Sequence, residues 1–89
     1  MPDVLFTPNL QRHIKCRDVT VEGATVLDVL NAAFELNPGL KQYILDEHDR
    51  TRRHINVFVN GQPVKDRIHL SDGLTPSDEV YVMQALSGG

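Results

Sequence analysis

Hydrophobic positions along the chain follow two periods. Val4 and Phe6 alternate with Leu5 and Thr7, which predicts a first strand over 4–7. The run DVTVEG at 18–23 repeats the alternation, with Val19 and Val21 facing in and Asp18, Thr20 and Glu22 facing out. Between them, PNLQRHIKCR reads as a hairpin connection containing Pro8 and Asn9. Over 24–37 the period lengthens. Val26, Val29, Leu30, Ala33 and Phe34 fall at i, i+3, i+4, i+7 and i+8, the stripe of a helix with one buried face. Thr25 precedes this stripe with Asp28 three residues later, an arrangement resembling a capping box with an acid in the first turn. Pro38 disfavours helical backbone at Asn37, so the helix stops there.

Residues 40–46 fit either a short helical turn, through Leu40, Tyr43 and Ile44, or a brief strand, and HDRTRR at 48–53 reads as a solvated turn. The strongest local signal is INVFVNGQPV at 55–64. Ile55, Val57 and Val59 alternate, and Asn60-Gly61 supplies the two residues of positive φ that a tight hairpin requires. After the turn-rich SDGLTPSD at 71–78, EVYVMQAL forms the last strand, with Val80 and Val82 on one face and Tyr81 and Met83 on the other. The predicted order is β-β-α-β-β with a minor element near 40–46. One main helix packed across one face of a small mixed sheet buries these stripes economically, an α+β fold.

Composition narrows the function classes. A chain of 89 residues has room for one domain. At this size it buries only roughly 60–65% of its unfolded surface. With 40% apolar and 24% charged residues it belongs with ordinary globular domains. The net charge of −3 argues against nucleic acid as a partner, because phosphate binding needs clustered Lys and Arg. No run approaches the ~20 apolar residues of a membrane span, and no signal peptide opens the chain. The single cysteine, Cys16, excludes an intramolecular disulfide and a Cys-based zinc site, which fits a cytoplasmic protein.

Catalytic signatures are missing. Gly23, Gly39, Gly61 and Gly73 stand alone at turns, with no phosphate-binding loop. His13, His48, His54 and His69 contain no i, i+4 pair, so no metal site is expected. Cys16 reads as a small half-buried side chain whose neighbours Lys15 and Arg17 would lower its pKa. Asp46, Glu47 and Asp49 read as a solvated loop. Arg50, Arg52 and Arg53 form a short basic cluster that serves either charge balance or partner docking. Phe58, Tyr81 and Met83 lie on the strand face opposite the Val/Ile core. Either they form an exposed protein-contact patch or further helix or loop covers them. The final SGG is open to two readings, a frayed end or a working one.

Taken together, VLFTPNL, TVLDVLNAAF, VFVNGQPV, SDEVYVMQAL and the terminal SGG resemble the MoaD/ThiS family of β-grasp (ubiquitin-like) sulfur carriers over nearly the whole chain. The glycine tail is the specific part of that likeness. One departure stands out: the family's common DGDEV turn is here Pro76-Ser77-Asp78-Glu79-Val80, which is expected to alter turn geometry slightly and leave the chemistry intact. The resemblance implies a β-grasp domain over 1–86, with a mixed sheet of four to five strands, and a flexible carrier tail over 87–89. It implies that an E1-like enzyme uses Mg-ATP to adenylate the Gly89 carboxylate, and that a persulfide donor converts it to a thiocarboxylate. Gly88 and Gly89, lacking Cβ, would thread narrow partner channels. Phe58, Tyr81, Met83 and Leu86 would grip the partners, among them a sulfur-accepting enzyme or large subunit. The carrier would bind no cofactor and act as cosubstrate, not enzyme. Length and tail suit a molybdopterin synthase small subunit, and HINVFVNGQPV also resembles carriers for cysteine biosynthesis, whereas thiamine-type carriers are typically shorter. Two other readings stay open: a ubiquitin-like modifier joined to target lysines, and a plain interaction domain with an idle tail.

Overall fold

The computed structural model describes residues 1–84. Elements run β1 (Asp3–Phe6), α1 (Pro8–His13), β2 (Val19–Thr20), α2 (Val26–Leu36), α3 (Leu40–Ile44), β3 (Ile55–Val59), β4 (Gln62–Pro63) and β5 (Glu79–Gln84). They build a five-stranded mixed sheet in the order β2-β1-β5-β3-β4. β1 and β5 run parallel at its centre, and the remaining pairs are antiparallel. This is the α+β β-grasp arrangement that the sequence pattern and the resemblance led us to expect.

One face of the sheet is closed by the helices. Val4, Phe6, Val57, Val80 and Val82 point into a single core with Val26, Val29, Leu30, Ala33 and Phe34 of α2, all buried. The expected cap is present: Thr25 Oγ1 accepts the Asp28 N–H at 3.2 Å. Asp28 answers by accepting the Ala24 N–H, one residue before the cap, in place of the usual reciprocal bond. Asn37 closes the other end, its buried side-chain amide donating to Ala33 O and Arg17 O while its Oδ1 accepts the Arg17 N–H.

Three local expectations need correction. The 8–17 connection contains a helix, α1. Thr7 caps it by accepting from Leu10 N, Pro8 occupies its first turn, and fully buried Leu10 anchors it to the core. The second strand is shorter than 18–23. Asp18 accepts the Phe6 N–H through its side chain at 2.9 Å, so its carboxylate replaces a ladder bond and β2 begins at Val19. Val21 is buried as expected, while Val19 is half-buried. The ambiguous 40–46 segment resolves as the short helix α3, entered through Gly39 at φ 85°.

The hairpin over 55–64 forms as read, with Asn60 at φ 50° and Gly61 at φ 84° joining β3 to β4. Asn60 also ties this turn to the start of β5. Its Nδ2 donates to Asp78 Oδ1 and its Oδ1 accepts the Glu79 N–H, both at 2.9 Å. Asp78 in turn accepts the Thr75 N–H at 2.8 Å, so the departing PSDEV turn is fastened from both sides.

Candidate functional site

Among the described residues, no helix packs on the second face of the sheet. Register places Tyr81 of β5 between Leu5 of β1 and Phe58 of β3, and Phe58 opposite Pro63 of β4. Met83 stands one pleat further along β5, opposite Asn56. Leu5, Phe58, Tyr81 and Met83 are each half-buried, with no residue of the set withdrawn into the core. Phe58, Tyr81 and Met83 line one shallow depression of about 310 Å³ together with Gly61 and Glu79. Among the described residues, then, these side chains form an open apolar face and no further helix or loop covers them. Leu5 and Pro63 extend the patch. Alternation already carried the signal for Leu5, one residue from two core positions.

The patch leads to the end of β5. Gln84, on the helix side of that strand, accepts a hydrogen bond from Tyr43 Oη at 3.0 Å. Tyr43 belongs to α3 and stacks on His13 of α1, with ring centroids 6.5 Å apart. Two short helices therefore brace the strand from which the tail departs. Leu86, Gly88 and Gly89, three of the predicted site residues, lie outside the described residues, as does the expected domain boundary at residue 86.

The remaining candidates separate. Cys16 is half-buried, and burial, followed by the nearby Asp18 carboxylate, pushes its thiol up from the ordinary value. That reverses the expectation from Lys15 and Arg17: desolvation and an anion outweigh two exposed cations. Asp46 accepts the His48 and Arg50 N–H groups, which hold its carboxyl below the ordinary value, with the Arg50 bond contributing most. It is a turn-forming residue. Within the basic cluster, Arg52 alone has a fixed guanidinium, its Nε donating to Gln42 O at 2.7 Å. Among the described residues no group of three or more His, Cys, Asp or Glu could hold a metal ion. None of their helices is long and apolar enough to cross a membrane.

Known structures share this architecture end to end. SAMP1 of Haloferax volcanii is 26% identical, with 99% of this chain and 98% of that one covered at a TM-score of 0.81. A chain of the Amycolatopsis orientalis BexX/CysO complex is 26% identical, with full coverage of both and a TM-score of 0.81. The small archaeal modifier protein 1 of Methanosarcina acetivorans is 26% identical, covering 99% and 95% at 0.80. No curated protein matches the sequence at a significant level. The ThiS family matches over residues 9–89, a span that takes in all of α1 but its first residue, the VNG hairpin, the β3, β4 and β5 part of the open sheet face and both terminal glycines. On that match the chain belongs to the ThiS family of β-grasp, ubiquitin-like sulfur carriers.

Proposed function

We propose that the chain is a cosubstrate that carries sulfur as a thiocarboxylate on Gly89. The observation that carries this reading is the family match, whose span, residues 9–89, includes Gly88 and Gly89. A carboxylate is a poor electrophile. Transfer of AMP from Mg-ATP, with loss of pyrophosphate, makes it a mixed anhydride with a good leaving group. Attack by the terminal sulfur of a donor persulfide displaces AMP and forms an acyl disulfide. A second thiol on the donor side then cleaves its S–S bond, ends in a disulfide with the donor cysteine, and releases a thiocarboxylate, a strong nucleophile. Both ATP and Mg belong to the activating enzyme.

The folded body supplies the remote binding energy for these small-group reactions. Leu5, Phe58, Tyr81 and Met83 offer an apolar contact on the sheet face that includes β5. Support for a protein partner comes from the Amycolatopsis orientalis likeness, a BexX/CysO complex. The acceptor is a sulfur-incorporating enzyme of cofactor or amino-acid biosynthesis, of the molybdopterin-synthase or the cysteine-forming kind. A second reading, conjugation to protein lysines, draws on the likeness to the small archaeal modifier of Methanosarcina acetivorans.

The test is tail length. Removing Gly89, or adding one residue after it, abolishes activation by the E1-like enzyme while the thermal unfolding curve stays that of the unaltered chain. Full sulfur transfer by either variant contradicts the proposal.

A further inference from the structure

A hollow of about 270 Å³ lies beside the end of β5, on the side away from Met83, lined by Gln42, Tyr43, Arg52, His54, Ile55 and Gln84. We infer that this hollow receives a carboxylate side chain of the enzyme that adenylates the chain, with Arg52 as the receiving group. The inference rests on the carrier reading above and assigns a role to one member of the basic cluster.

Charge is the first argument. The protein carries a net charge of −3, yet no Asp or Glu lines this hollow. Its one permanently charged group is the Arg52 guanidinium, and the His54 ring N–H and the Gln84 side-chain NH₂ add donors beside it. Tyr43 spends its hydroxyl proton on Gln84 Oε1, so the amide NH₂ remains for another acceptor.

Geometry is the second. Arg52 Nε donates to Gln42 O at 2.7 Å, which holds the guanidinium plane and leaves its two terminal NH₂ groups for a forked bond to a carboxylate. Among the described residues the ion pairs are Lys41–Asp49 and His48–Glu47, and neither involves Arg52. Asp46 and Glu47 line the next groove, which Arg52 also borders. Asp46 is already occupied there by the His48 and Arg50 N–H groups.

Position is the third. Gln84 follows Met83 directly in β5, so the hollow and the apolar face flank the same strand end from opposite sides. An enzyme that encloses the tail meets both: apolar contact on one side, an acidic side chain on the other. Arg50 and Arg53 do not line the hollow and have no such part.

The experiment measures pyrophosphate release by the purified E1-like adenylating enzyme of the source organism against the concentration of the full chain. The Arg52→Glu variant raises KM for the chain about tenfold with kcat unchanged, Arg52→Gln raises it less, and Arg53→Gln matches the unaltered chain. All three variants stay folded at the assay temperature by their unfolding curves, since Arg52 and Arg53 are exposed and the Arg52 variants lose only the surface bond to Gln42 O. Added salt raises KM of the unaltered chain more than that of Arg52→Gln. A KM for Arg52→Glu within about twofold of the unaltered chain, or an equal effect from Arg53→Gln, overturns the inference. Absence of turnover with the unaltered chain itself counts against the carrier reading and removes this inference with it.

Discussion

Tyr81 and Phe58 stand directly opposite each other across the β5–β3 ladder, on the face of the sheet that no helix of the described residues covers. Aromatic pairs in such positions carry much of the energy of a protein contact once a partner excludes water. Tyr81→Ala is expected to weaken binding to the activating enzyme by about 2 kcal/mol or more. Titration calorimetry measures it, and unchanged affinity contradicts a gripping role for this face.

The hairpin turn is expected to matter beyond its own backbone. Asn60→Gly keeps the positive φ but removes the bonds to Asp78 and Glu79. Loss of these two hydrogen bonds should lower unfolding free energy by about 1–2 kcal/mol in urea titration. Stability equal to that of the unaltered chain means that the tie between the turn and β5 contributes nothing.

A close approach at Gly23 gives a packing test. A Cβ there would lie 2.7 Å from Val29 Cγ1 and 2.9 Å from the Val29 backbone nitrogen. Val29 is buried in the core, so relief requires α2 to shift. Gly23→Ala is therefore expected to lose about 1–3 kcal/mol, measured by thermal or urea unfolding. A variant as stable as the parent shows that the 23–25 turn yields freely.

Acid stability depends on Asp66. Its carboxylate accepts the His69 and Ile68 N–H groups and the Ser71 hydroxyl, which hold its pKa down to about 2. Because the folded value lies below the ordinary 3.8, the stabilisation is fully present above pH 3.8 and is lost as pH falls through about 2. Asp66→Asn should flatten the loss of melting temperature across that window. An unchanged acid profile contradicts the assignment.

How much of this was legible in the residues differs by element. The α2 stripe and the Asn60-Gly61 hairpin were plain, because each combines a strong period with local turn or cap chemistry. Helix α1 was missed although its signal is present: Thr7-Pro8 is a cap followed by the proline that a first helical turn accepts. A helix of six residues shows too little period to compete with a neighbouring turn reading. The extent of β2 depended on Asp18 reaching Phe6, a contact between residues twelve apart that no local pattern encodes. For the site, alternation named Phe58, Tyr81 and Met83, but their exposure depended on where the helices packed. The distinction among Arg50, Arg52 and Arg53 was invisible in sequence, because only folding brings Gln42 O to Arg52.

The central claim concerns one atom at the Gly89 carboxylate. Intact-mass spectrometry of the full chain, after incubation with its adenylating enzyme, Mg-ATP and sulfide, tests it most directly. The account predicts a mass gain of one sulfur less one oxygen, located by fragmentation at Gly89. An unaltered mass, or covalent attachment of the chain to other proteins with no oxygen-for-sulfur exchange, would contradict it.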